Sequence, residues 1–121
     1  MRSEMSPSSV RIGPQTYKIE FRDPAKDGML NDGNYGYTLE AGNLIVVSKT
    51  IDISKQRITL MHEILHACKA VFEGYAPKKD SDSKELDLEE IEHALIAIYE
   101  NSLIMIFKDN PDLIEWLSED D

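Results

Sequence analysis

His62-Glu63-Ile64-Leu65-His66, set inside Gln56-Arg57-Ile58-Thr59-Leu60-Met61-His62-Glu63-Ile64-Leu65-His66-Ala67, decides how this chain of 121 residues is read. Two histidines four positions apart project from one face of a helix, about a turn apart, close enough to share one metal ion. Glu63 lies roughly 100° around the helix from His62, so it is placed to address a water beside the metal rather than the ion itself. With His62 as the angular origin, Met61, Ile64, Leu65, Cys68, Val71 and Phe72 fall in one sector roughly opposite the histidines. Thr59, His62, His66 and Glu73 fall together on the other side. One face is therefore expected to be core, and the other to carry polar groups aimed at a site. The competing reading is a pair of solvent-facing histidines on an ordinary surface helix. The helical setting, which the motif requires, favours the helical half of a zinc hydrolase site.

Working upstream, Leu44 to Ser48 is an apolar strand, and Tyr35, Tyr37 and Leu39 alternate with small or polar residues in another. Turn residues Glu40-Ala41-Gly42-Asn43 join the two as a hairpin. Tyr17, Ile19 and Phe21 alternate with Lys18, Glu20 and Arg22 in a strand over 16–22, ended by Asp23-Pro24. Residues 23–34, rich in Asp, Gly and Asn, read as a loop. Ser54, or alternatively Asp52, caps a motif helix over about 55–72 that stops at Gly74. Residues 76–83 read as a linker able to act as a lid. A second helix starts near Ser83, with Leu88, Ile91, Leu95, Ile98, Ser102, Met105 and Ile106 at helical spacing. Asn110-Pro111 breaks it and opens a short last helix with Leu113, Ile114, Trp116 and Leu117.

Composition sets bounds on function. Hydrophobic content of 41% and charged content of 30% are ordinary for one globular domain of this length. Thirteen basic against twenty-three acidic residues leave a net charge of −10, which argues against direct nucleic-acid binding or an anionic membrane surface. No apolar run has the length of a signal peptide or a membrane span. The lone Cys68 forbids an internal disulfide and suits a reducing, cytoplasmic compartment; on the apolar side of its helix it reads as a buried small hydrophobe.

A catalytic zinc takes three protein ligands and keeps one position for water, whose pKa it lowers. The motif supplies two. The remaining candidates are His93 and the carboxylates at the start of the second helix, although acids there also complement the helix dipole. Helix phase ranks Glu90 first, on the flank of the apolar stripe in a column with Ala94 and Ala97, ahead of Glu89 and His93. Glu63 would take the proton of the zinc-bound water and return it to the leaving amine. Tyr35, Tyr37 or Tyr75 could help stabilise the oxyanion, although each also has an ordinary packing role. If strand 44–48 is the sheet edge above the cleft, an extended peptide could add to it.

Gly33-Asn34-Tyr35-Gly36-Tyr37, Leu44-Ile45-Val46-Val47, the motif helix, Glu89-Glu90-Ile91 and Asn110-Pro111-Asp112-Leu113-Ile114-Glu115-Trp116-Leu117 carry a resemblance over roughly residues 30–118. Together they resemble the small phage- and prophage-encoded zinc metallopeptidases, minimal zincins related to the ImmA/IrrE-type peptidases. The resemblance implies His62 and His66 as zinc ligands, Glu63 as the general base and a glutamate of the 89–90 pair as third ligand. It implies an α+β fold in which a small three-stranded mixed or antiparallel sheet packs on the motif helix, followed by a long second helix and a short C-terminal one. Residues 1–12 would be a flexible lead, 13–118 the single metallopeptidase-like domain and 119–121 an acidic tail. Ile64-Leu65 departs from the Leu-Gly that relatives often carry, which tightens any approach at position 65. The expected function is zinc-dependent peptide hydrolysis of a polypeptide in the host cytoplasm. The alternative is a non-catalytic zincin-fold module that binds a regulatory protein. Many ImmA/IrrE-type proteins pair the peptidase with a repressor-like DNA-binding domain, which is not expected among these 121 residues, and the resemblance suggests a repressor as substrate.

Overall fold

The computed structural model describes residues 6–73 and 87–120. Four strands form one mixed sheet: β1 (Ser9–Ile12), β2 (Gln15–Arg22), β3 (Gly36–Leu39) and β4 (Leu44–Ser48), in the order β1-β2-β4-β3. β1 pairs with β2 and β3 with β4 antiparallel, whereas β2 and β4 run parallel. The expected α+β class with a mixed sheet is observed, but the sheet has four strands rather than three. The added strand is β1, which lies in the stretch read as a flexible lead. Val10 and Ile12 are fully buried there. A three-residue alternation is too short to stand out as a pattern, and β1 is ordered by pairing across the Gly13-Pro14 turn. Gly13 has φ +58, and a Cβ there would come within 2.6 Å of the Phe72 ring, so the turn both needs a left-handed residue and lacks room for a side chain.

β4 is an inner strand, not the sheet edge. Ile45, Val46 and Val47 are completely buried because both faces of the strand are covered, which is why it reads as an unbroken apolar run. The edge beside the helix layer is β3. Between β2 and β3 the loop folds into a 3-10 turn (Pro24–Lys26) and the single-turn helix α1 (Gly28–Asn31). Asp27 caps α1 by accepting from the Met29 and Leu30 N–H groups.

α2 (Ile53–Phe72) lies on the sheet and carries the motif. Asp52, rather than Ser54, is its N-cap, accepting from the Lys55 N–H at 3.0 Å. Its buried face holds Leu60, Ile64, Ala67, Cys68 and Phe72, while Met61, Leu65 and Val71 are only half-buried. The core sector is thus rotated from the expected position towards Glu63, which it buries. Gly74, linker 76–83 and the expected helix start near Ser83 lie outside the described residues. Within them, α3 (Leu88–Asp109) begins behind Asp87, which accepts from the Glu90 N–H at 2.8 Å. Ile98, Ser102 and Ile106 are its buried contacts with the core.

Asn110 separates α3 from α4 (Pro111–Ser118) and clamps β1: its Oδ1 accepts from the Arg11 N–H at 2.7 Å and its Nδ2 donates to the Arg11 carbonyl at 2.8 Å. α4 is pinned from α2. Arg57 Nε donates to the Trp116 carbonyl at 2.9 Å, and the guanidinium lies 5.3 Å from the indole centre. Arg57 also reaches Glu119 at 3.5 Å, so the first residue of the expected solvated tail has a buried side chain. Among the described residues, no helix is long and apolar enough to cross a membrane.

Candidate metal centre and its cleft

His62 and His66 stand one turn apart on the exposed side of α2, with their Nε2 atoms 3.1 Å apart. Two imidazole nitrogens on a tetrahedral zinc, each about 2.0–2.1 Å from it, are about 3.3 Å apart. The pair therefore fits the spacing that a shared zinc requires. His62 Nε2 lies 4.0 Å from Glu63 Oε2. Glu63 thus presents one carboxylate oxygen beside His62.

The other oxygen of Glu63 is held by β3. Thr38 Oγ1 donates to Glu63 Oε1 at 2.9 Å and lies 3.2 Å from the Glu63 carbonyl oxygen. A hydroxyl has one proton, and a carboxylate oxygen is a stronger acceptor than a backbone carbonyl. The Glu63 side chain is only 8% exposed, against 66% for His62, so this bond fixes a buried carboxylate rather than a mobile surface one. Gly36, two residues earlier and on the same face of β3, lets the strand come this close. A Cβ at Gly36 would lie 2.7 Å from Thr59 Cγ2, 2.7 Å from the Val46 carbonyl oxygen and 3.5 Å from Glu63 Cγ.

The opposite face of β3 is held as firmly. The Tyr37 hydroxyl donates to Asp27 Oδ2 at 2.7 Å and accepts from Arg22 Nη1 at 3.0 Å. Burial, reinforced by the bond to Asp27, raises the phenol's pKa. The same bond from Tyr37, with those from Arg22 and two backbone N–H groups, holds the Asp27 carboxyl below the usual carboxylate range. Tyr37 is therefore committed to its own network with Asp27 and Arg22. Tyr35 is exposed at the cleft, and Tyr75 lies outside the described residues.

The outer edge of β3 faces the cleft. The Tyr35 carbonyl accepts from the Ser48 N–H at 2.8 Å. The antiparallel alternation then turns the N–H and C=O groups of Gly36 and Thr38 away from β4. Two adjoining recesses of about 320 Å³ each run along this edge. One lies against Tyr35, Ile58 and Thr59, the other against Tyr37, Thr38, Glu40 and His66; Gly36, His62 and Glu63 line both. A larger groove of about 740 Å³, between residues 6–9 and the start of α4, includes none of the motif residues.

Among the described residues, none of the α3 candidates for a third ligand joins the histidine pair. Glu89 and His93 are exposed on the first turns of α3, and Glu90 is half-buried. Among the described residues, no group of three or more His, Cys, Asp or Glu side chains is arranged to hold a metal ion. α3 meets α2 further along, where the Tyr99 hydroxyl donates to the Leu65 carbonyl at 3.0 Å. Cys68 is buried as expected, and burial pushes its thiol up to about 11, which removes it as a thiolate ligand or nucleophile.

Thr38, Gly36 and Glu40 are the site residues that the sequence reading missed. Thr38 looked like any small polar residue of an alternating strand. Its one signal was the Gly36-x-Thr38 spacing on the face opposite Tyr35 and Tyr37. Comparison of the chain with protein-family profiles, with characterised proteins and with solved structures returns no match.

Proposed function

We propose that the protein is a zinc metallopeptidase of minimal zincin type, akin to the small phage-encoded enzymes that its motifs resemble, acting on a polypeptide in the cytoplasm. One observation supports this above the others: the paired Nε2 atoms at 3.1 Å beside a buried carboxylate whose second oxygen lies 4.0 Å from His62. His62 and His66 would hold the zinc. Glu90 is our third ligand because, of the three α3 candidates, it alone is not exposed; Glu89 and His93 are its substitutes.

When bound, zinc would act as a Lewis acid on the scissile carbonyl and acidify a water. Glu63 Oε2 takes the proton from the attacking water and delivers it to the leaving amine, so one carboxylate serves both steps. Thr38 keeps Oε1 occupied, which leaves Oε2 as the working oxygen. The outward N–H and C=O groups of Gly36 and Thr38 give an extended substrate a strand to pair with.

About one zinc per chain by elemental analysis, and loss of proteolysis in Glu63→Gln with the zinc retained, are the expected results. Metal-free, monodisperse protein purified without chelator overturns the proposal. The competing reading, a non-catalytic zincin-fold module, draws support from the two ligands, rather than three, that the described residues gather. It requires wild-type and Glu63→Gln proteins to behave alike.

A further inference from the structure

We infer that the cleft reads two side chains of an extended peptide: a basic one at the Glu40 end and a bulky apolar one at the end formed by Tyr35 and Ile58. The inference rests on the peptidase reading of the site and adds the class of substrate.

The two recesses have unlike chemistry. Ile58 is one turn before His62 and two before His66, on the helix face expected to be polar, and is 69% exposed. Tyr35, 53% exposed, lines the same recess. A lone exposed Ile is unremarkable on a protein surface. An Ile and a Tyr lining one recess beside the reacting groups offer an apolar side chain a place to lose its water. The Lys55 ammonium, 6.0 Å from the centre of the Tyr35 ring, puts positive charge at this end and disfavours a basic residue there.

At the other end, exposed Glu40 is a carboxylate in the recess that also includes His66 and Thr38. Its charge is part of a net charge of −10, so a Lys or Arg is attracted there locally and by the whole field. From Gly36 to Glu40 the strand spans about 13 Å, room for an extended segment with one anchored side chain on each side of the reacting bond. Antiparallel pairing is the more stable mode of adding a strand. It places the peptide's N-terminal side at Glu40 and its C-terminal side at Tyr35 and Ile58. The substrate is then a segment with Lys or Arg before the scissile bond and Leu, Ile, Phe or a similar residue after it.

The test uses Glu63→Gln protein supplied with zinc, so that binding is read without turnover. The probes are fluorescein-labelled nonapeptides of Ala, Gly and Ser with Arg on the N-terminal and Leu on the C-terminal side of the central bond, and counterparts with the two exchanged or replaced by Glu and Ser. By fluorescence anisotropy, the Arg-before-Leu peptide binds about tenfold or more tightly than the exchanged one. Adding Glu40→Lys abolishes the preference for Arg and leaves that for Leu; adding Ile58→Ser does the reverse. Equal affinities across the set, preferences that survive both substitutions, or no binding by any probe overturn the inference. In each of those cases, casein cleavage by the wild-type protein leaves the peptidase reading standing. Selective binding without any cleavage of the preferred peptide by the wild-type protein removes the peptidase reading and keeps the two-ended groove.

Discussion

The turn of α2 that carries His62, Glu63 and His66 and the first turns of α3 that carry Glu89, Glu90 and His93 hold the same ligating chemistry in different settings. Glu63 is buried, with Thr38 on one oxygen and His62 4.0 Å from the other. Glu89 stands exposed at a helix start, where a carboxylate is stabilised by the dipole and by water whatever else it does. A buried carboxylate needs a partner to offset its lost hydration, and here that partner belongs to the strand bordering the cleft. Burial with a dedicated partner is thus better evidence of a working group than is abundance of acids.

The sharpest way to break this comparison is to remove the α2 histidines. His62→Ala or His66→Ala should lower zinc affinity by more than about 100-fold and leave less than one zinc per chain after dialysis, measured by competition with a chromogenic chelator. Next in size, Glu90→Gln should weaken zinc binding by about 10-fold to 100-fold, while Glu89→Gln and His93→Ala stay within about twofold. An unmoved affinity in Glu90→Gln removes it as third ligand and widens the gap between the two regions. Thr38→Val should follow, with kcat reduced roughly tenfold, KM and zinc stoichiometry unchanged, and recovery in Thr38→Ser. A matching loss in Thr38→Ser would mean that the threonine acts by packing and not through its hydroxyl.

What could be read from the sequence follows from how local each signal is. The motif helix, the apolar β4 run and the break at Asn110-Pro111 are written within a few consecutive residues. β1 is not, because Val10 and Ile12 become core only when β2 pairs beside them and Asn110, far along the chain, bonds to both backbone groups of Arg11. Helix phase placed Glu63 correctly relative to the histidines but missed the rotation of the core towards it, since that depends on how closely Gly36 lets β3 approach. The condition that β4 be the edge strand is not met for a related reason: strand order is a property of the crossover from β2, not of either strand's composition. Thr38 was hidden for the same cause, as a partner that exists only across elements.

Asp27 and Glu63 offer the smallest and most discriminating prediction, because β3 is held between them by consecutive residues pointing to opposite faces. Tyr37 bonds to Asp27 and Thr38 to Glu63. Asp27, in contact with Arg22 and the start of α1, has structural partners only. Its carboxyl is held below its ordinary value, first by the Tyr37 hydroxyl, so the folded state binds its proton more weakly than the unfolded chain does. The stabilisation is therefore complete above the unfolded pKa of about 3.9 and is lost as pH falls through the lower folded value. Asp27→Asn should accordingly lower the melting temperature at pH 7, with the difference from wild type constant down to about pH 5 and closing in more acidic solution. Zinc affinity should not change, because Asp27 touches neither histidine. Circular dichroism melts across that range, beside a zinc titration at pH 7, separate the outcomes. A melting difference that does not shrink as pH falls below the unfolded pKa of about 3.9 would show that the carboxylate's charge is not what holds this face of β3. A fall in zinc affinity would show that the two faces of β3 are coupled, and that Asp27 supports the site through the strand.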